Sequence, residues 1–184
     1  MFSKPQFIRC VRSAHPKAVH YFAPSMNSPA PSVLCGRVFS TSTRANNLLL
    51  RDDDKSTGIT TLKLNSPHNY NVLSWDMLDT LQEQIDDIAT SESIRVLVVG
   101  ATGKAFSAGH DLKELRSHQS IDETRELFSK CSRLMISLNK LPQPVIAMVQ
   151  GVATAGGCQL VASCDLAVAS SYARFGVSGI NVGL

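Results

Sequence analysis

At 184 residues, 43% hydrophobic and 18% charged, the chain is long enough for one globular domain with a real core and too apolar to be disordered throughout. No apolar run approaches the roughly 18 residues a membrane-spanning helix needs, so no membrane span is expected. The net charge of +3 is unevenly divided: residues 1–51 hold seven Lys or Arg and no acid, while the rest carries eleven Lys or Arg against all fifteen Asp and Glu, a net of −4 without the clustered cations of a nucleic-acid surface.

Residues 1–45 are Arg- and Ser-rich, lack acids, contain five of the eight prolines and show no period of 2 or 3.6. This is the composition of a mitochondrial transit peptide, and the segment is expected to be disordered and to direct the chain to the matrix. Arg37-Val38-Phe39-Ser40 resembles a matrix-protease site, with the cut expected after Phe39. The folded domain is expected over residues 46–184. The five cysteines, Cys10, Cys35, Cys131, Cys158 and Cys164, have no CxxC or Cys/His metal spacing and predict free, mostly buried thiols and no metal.

Within 46–184 the pattern is that of a mixed α/β domain. Leu48–Arg51 and Ile59–Asn65 predict a hairpin around a polar turn, Asp52–Gly58. Ser74 is a candidate N-cap for a helix to about Ala89, with Met77, Leu78, Leu81, Ile85 and Ile88 at helical spacing. Arg95–Ala101 reads as a buried strand. Ile121–Lys140 reads as a long helix with Phe128, Cys131, Met135 and Leu138 on one face. Val145–Val149, Gly156–Ser163 and Asp165–Ala169 follow as strand, short helix and strand, an alternation that implies parallel pairing.

Two strands run into glycine turns: Gly103-Lys104-Ala105-Phe106-Ser107-Ala108-Gly109-His110-Asp111-Leu112, and Gly151-Val152-Ala153-Thr154-Ala155-Gly156-Gly157-Cys158-Gln159. Small residues let a backbone approach a ligand, and a helix start leaves N–H groups free to meet negative charge. Neither turn fits GxxxxGK[ST] or GxGxxG, which sets aside triphosphate and dinucleotide binding.

In this order the turns, with Asn71-Val72-Leu73-Ser74, Pro144-Val145-Ile146-Ala147 and Ala162-Ser163-Cys164-Asp165-Leu166-Ala167-Val168-Ala169, resemble the crotonase family, also called the enoyl-CoA hydratase/isomerase family, from about Ile59 to Leu184. The resemblance implies a crotonase-like ββα spiral core, incomplete at its C-terminus because family members continue past the position of Leu184. It implies that the amides of His110 and Gly156 form an oxyanion hole for the carbonyl of a coenzyme A thioester. It also implies that Lys104, Ala105, Phe106 and Ala108 pass the adenine end of coenzyme A, with Lys104 and Lys113 available to its phosphates. For the full-length form it implies a homotrimer or hexamer, for which the truncated chain is not expected to assemble normally.

The chain departs from a hydratase at both acid/base positions. Family hydratases place glutamates where this sequence has Gln159 and Gly179, neither of which transfers a proton near neutral pH. The resemblance therefore implies an acyl-CoA-binding protein of fatty-acid metabolism without ordinary hydratase activity. The alternatives are an acyl-CoA lyase, isomerase or thioesterase with a base from the missing C-terminal part or from His110 beside Asp111, and a non-catalytic subunit partnering other family members. The imidazole of His110 is expected to point outward, and Cys158 to pack as a small hydrophobe. Pro67-His68-Asn69-Tyr70 lacks the basic residue usual in the family before the position of Asn71.

Overall fold

The computed structural model describes residues 48–117 and 120–177; the basic segment 1–45 and Gly179 lie outside the described residues. The chain enters as an antiparallel hairpin of β1 (Leu49–Asp54) and β2 (Ile59–Leu64). β1 extends through the acidic run that the sequence assigns to the turn. The Arg51 guanidinium explains the extension by pairing with Asp53 at 3.0 Å and reaching Asp87 at 2.6 Å. Asp54 then builds the turn, accepting from the amide and hydroxyl of Ser56 at 3.0 and 2.6 Å.

A 3-10 turn at Pro67–Asn69 leads to α1 (Trp75–Thr90), whose start is capped by Ser74 Oγ accepting from the Met77 amide at 3.2 Å. Its expected stripe of Met77, Leu78, Leu81, Ile85 and Ile88 is buried. β3 (Val96–Ala101), β5 (Val145–Val149) and β7 (Leu166–Ala169) complete a five-stranded sheet in the order β1-β2-β3-β5-β7, parallel from β2 onward. α2 (Leu112–Ser117) and α3 (Ile121–Lys140) connect β3 to β5.

Helices α1 and α3 pack together over one face of this sheet. The buried strand residues there alternate as the pleat demands: Leu62, Leu64, Leu97, Val99, Val145, Ala147 and Val149. Burying each of the Leu and Val side chains contributes about 1.5–3 kcal/mol relative to exposure. α3 turns Leu127, Cys131, Leu134, Met135 and Leu138 inward. Phe128, which the sequence places on that face, is 40% exposed instead, because one residue beyond Leu127 is a rotation of about 100° around the helix. The opposite sheet face, with Val96, Val98, Ile146, Met148, Leu166 and Val168, is partly exposed.

A second sheet went unanticipated. β4 (Ala105–Ser107), β6 (Val152–Thr154) and β8 (Arg174–Gly176) pair in parallel in that order, so each glycine turn has a three-residue strand inside it. Directly after β6 comes α4 (Gly156–Ala162). Strands of three residues are too short to show a period of two against their neighbours.

Candidate functional site

Close packing without side chains brings the two glycine turns together. A Cβ on Gly109, whose φ is +89°, would lie 2.9 Å from the Gly156 amide nitrogen and 3.1 Å from the Thr154 carbonyl. Gly109 therefore has two reasons to be glycine, its left-handed backbone and the approach of the second turn. Gly157 is held against β4 more tightly still, since a Cβ there would meet the Ser107 carbonyl oxygen at 2.3 Å. Between the turns sits Leu73, fully buried, whose amide donates to the Gly109 carbonyl at 2.7 Å.

His110 and Gly156 are thus neighbours: the His110 Cδ2 lies 3.6 Å from where a Gly156 Cβ would stand. Among the described residues neither the His110 amide nor the Gly156 amide has an acceptor. Ala155, just before Gly156, has φ 48° and ψ −121°, an uncommon conformation for a residue with a Cβ. Strain of this kind costs about 1–3 kcal/mol and persists only where surrounding contacts fix it. Here the Ala155 amide donates to the Gly176 carbonyl at 2.9 Å, and the Ala155 carbonyl accepts from Gln159 at 3.0 Å. Strands β6 and β8 thereby set the direction of the amide that follows.

The imidazole of His110 does not point outward. It is half-buried and meets the ring of Phe128 edge to face, centroids 4.9 Å apart. An aromatic ring on the neighbouring α3 gives it an apolar wall that solvent does not offer, and Phe128, on the side of α3 away from Leu127, supplies it. The Nδ1 atom is buried with no partner at hydrogen-bonding geometry. Burial pushes the imidazole below the usual histidine range, with the nearby Leu73 carbonyl acting in the opposite sense.

The remaining candidates divide. Ala105 and Phe106 turn their side chains into the core, leaving only their backbone for a ligand, whereas Lys104, Ala108 and Lys113 are exposed. Among the described residues Lys104 and Lys113 have no carboxylate partner. Gln159 lies one turn along α4 from Gly156 and is exposed. Gly179 lies outside the described residues. Of the cysteines, Cys131 and Cys164 are buried and Cys158 half-buried, and burial pushes the Cys131 thiol up to about 11. Among the described residues no three His, Cys, Asp or Glu side chains gather as metal ligands, and no helix is long and apolar enough to cross a membrane.

Two side chains hold the first turn in place that the chemistry of the sequence did not single out. Asn71, fully buried, accepts from the Ser66 amide at 2.7 Å and donates to the carbonyls of Thr102 and Ala105 at 2.8 and 2.9 Å. Gln150 donates to the Gly103 and Ala105 carbonyls at 3.2 and 3.0 Å. Asn71 also has φ 52°, a conformation asparagine tolerates better than most residues. Nothing in the pattern around Gln150 signals its role, since a polar residue after a strand is the ordinary case.

The enoyl-CoA hydratase/isomerase family model matches residues 54–184. A relative from Danio rerio, "Enoyl-CoA hydratase domain-containing protein 3, mitochondrial", is 51% identical over 127 residues, covering 69% of this chain and 44% of its own length. Among solved structures, an enoyl-CoA hydratase of Mycobacterium smegmatis aligns with TM-score 0.74 and 54% identity over 76% of this chain and 54% of that one. Human enoyl Coenzyme A hydratase domain-containing protein 3 aligns with TM-score 0.71 and 46% identity over 75% of this chain and 54% of its own. The chain spans about half the length of these relatives. The expected crotonase fold is the one observed, and sequence and fold lead to the same conclusion: the chain belongs to the enoyl-CoA hydratase/isomerase family.

Proposed function

We propose that this chain belongs to an acyl-CoA-binding protein of mitochondrial fatty-acid metabolism in which the amides of His110 and Gly156 polarise a thioester carbonyl, and which lacks ordinary hydratase activity. The observation that carries the reading is the approach of the two glycine turns, with both amides lacking an acceptor among the described residues. A thioester enolate places its charge on the carbonyl oxygen, and preorganised N–H donors stabilise that charge without reorganising. Where the family's hydratases use two glutamates, an amide at Gln159 and a hydrogen at Gly179 leave no group to activate water or protonate the α carbon. Lys104 and Lys113, exposed beside the first turn, suit the phosphates of coenzyme A. Mitochondrial location is supported by the acid-free segment 1–45 and by the names of the relatives. Assembly into trimers or hexamers follows from the family resemblance for a full-length form.

The test pairs calorimetric binding of butyryl-CoA with a hydration assay on crotonyl-CoA, on a full-length protein carrying these residues. Binding with little hydration is expected, because each acid/base group typically contributes about 10²–10⁴-fold. Hydration should appear only in the Gln159→Glu, Gly179→Glu double variant. Robust hydration by the unsubstituted protein would sink the inactive reading, and absence of acyl-CoA binding would remove the oxyanion-hole assignment as well.

The half-buried, inward imidazole favours a second reading, in which His110 moves a proton for a lyase, isomerase or thioesterase reaction. His110→Gln keeps the backbone amide and removes the base. Under this reading it abolishes turnover of an acyl-CoA panel while leaving binding intact; under the first it changes neither.

A further inference from the structure

The start of α1 and the chain after Gly109 are fastened to each other at two points. At the first, the Leu73 amide donates to the Gly109 carbonyl at 2.7 Å, and Leu73 pairs with His110 as an isolated parallel bridge. The Gly109 carbonyl and the His110 N–H belong to one planar trans peptide, in which they point in opposite directions. Holding the carbonyl toward Leu73 therefore turns the His110 amide away from it. At the second point, Glu114 on α2 accepts from the Trp75 amide through Oε2 at 3.0 Å. Trp75 is the first residue of α1, and a first-turn N–H finds no carbonyl within its own helix. Ser74 Oγ serves the Met77 amide, so the Glu114 carboxylate takes the Trp75 position, where the helix dipole favours negative charge.

The second tie matters because packing holds α2 weakly. None of its residues is fully buried, Leu112 is 46% exposed, and Leu115 packs on the core only in part. Yet α2 starts directly after Asp111 and is wound onto it: Asp111 accepts from the Lys113 amide through its side chain at 2.8 Å and from the Leu115 amide through its carbonyl at 3.0 Å. Movement of α2 is thus passed to the backbone dihedrals of Asp111 and His110, beside the 109–110 peptide. Helix α3 braces both sides of the bracket, with Phe128 against the His110 ring and the Lys130 ammonium 4.6 Å from the centre of the Trp75 ring. We infer that Glu114 is a positioning residue for the thioester: by tying α2 to the start of α1 it fixes the 109–110 peptide and with it the aim of the His110 amide. The inference rests on the acyl-CoA reading above and adds to it a side chain that acts through another residue's backbone.

The experiment compares affinity for butyryl-CoA with affinity for S-butyl-CoA, a thioether of the same length without the carbonyl, on the full-length protein carrying these residues. Wild type is expected to prefer the thioester. Glu114→Ala is expected to lose about tenfold in butyryl-CoA affinity, the scale of one hydrogen bond, with S-butyl-CoA unchanged. Glu114→Gln keeps an oxygen for the Trp75 amide and should stay within about twofold of wild type. The carbonyl stretch of bound, isotope-labelled butyryl-CoA, lowered by the amides in wild type, should return toward its free value in Glu114→Ala. Ser74→Ala weakens the same helix start without touching the bracket, and it should leave both affinities and the stretch unchanged. Should Glu114→Ala fail to fold, Glu114→Asp, one methylene short of the Trp75 amide, is judged by the same ratio of affinities. Equal weakening of both ligands, which a merely structural role would give, an unchanged ratio, or a Glu114→Gln variant as weak as Glu114→Ala overturns the inference and leaves acyl-CoA binding standing. A wild type that binds both ligands equally removes the oxyanion-hole reading, and this inference with it.

Discussion

His110 shows how one residue carries two separable properties. Its amide depends on backbone alone, whereas its ring sits against Phe128 and is harder to protonate than an exposed histidine. The sign follows from linkage: with the folded pKa below the usual 6.5, the unfolded chain binds the extra proton first, so the ring's contribution is full above 6.5 and declines as pH falls below it. His110→Phe keeps an aromatic ring and removes the titration. Its melting temperature is expected to fall less than that of the wild type when pH is lowered through 6.5, and parallel curves for the two proteins would count against the effect. The resemblance gives His110 its role through the backbone amide, which leaves the ring without a function in the sequence and expected outward. The deciding partner, Phe128, lies eighteen residues away on α3, and no local pattern announces it.

At the scale of elements, the position of α4 is fixed by the contact of Gly157 with Ser107. Gly157→Ala forces α4 off β4, and overpacking of this kind costs about 1–3 kcal/mol, to be read from urea unfolding. Because Gly156 moves with α4, the same variant should bind butyryl-CoA more weakly. Ser74→Ala removes the cap on α1 and should cost about 1 kcal/mol without touching the thioester affinity. The long elements were legible because their chemistry is local: the Ser74 cap, the 3.6-residue stripe of α1 and the Val-rich run of β3 each state their own structure. Strands β4, β6 and β8 were not, being three residues long and defined by partners up to 47 positions away, as Ala105 is from Val152. The pairing of His110 with Gly156 was expected through family likeness, and the structure adds how it is made, by glycines that admit backbone to backbone. The strain at Ala155 and the clasp of Asn71 belong to tertiary contacts that a sequence does not display.

For the whole molecule, one face of the main sheet meets α1 and α3 while the other presents Val96, Val98, Ile146, Met148, Leu166 and Val168. Contiguous exposed apolar surface drives association. Residues 46–184 expressed alone are therefore expected to self-associate, and Met148→Lys with Val168→Lys to shift them toward monomer in sedimentation; a monodisperse unsubstituted protein would contradict this. A reporter fused to residues 1–45 is expected to reach mitochondria and to stay cytosolic when Arg9, Arg12, Arg37 and Arg44 become Glu. The small sheet of β4, β6 and β8 has a consequence of another order. Its strands lead into the peptides at positions 110 and 156, the second steadied by the bond from the Ala155 amide to the Gly176 carbonyl, and a peptide N–H is present whatever side chain its residue carries. On the proposed reading, electrophile activation is in this way uncoupled from side-chain identity, so a sequence with glutamine at position 159 and glycine at position 179 keeps a charge-stabilising frame open to a different reaction.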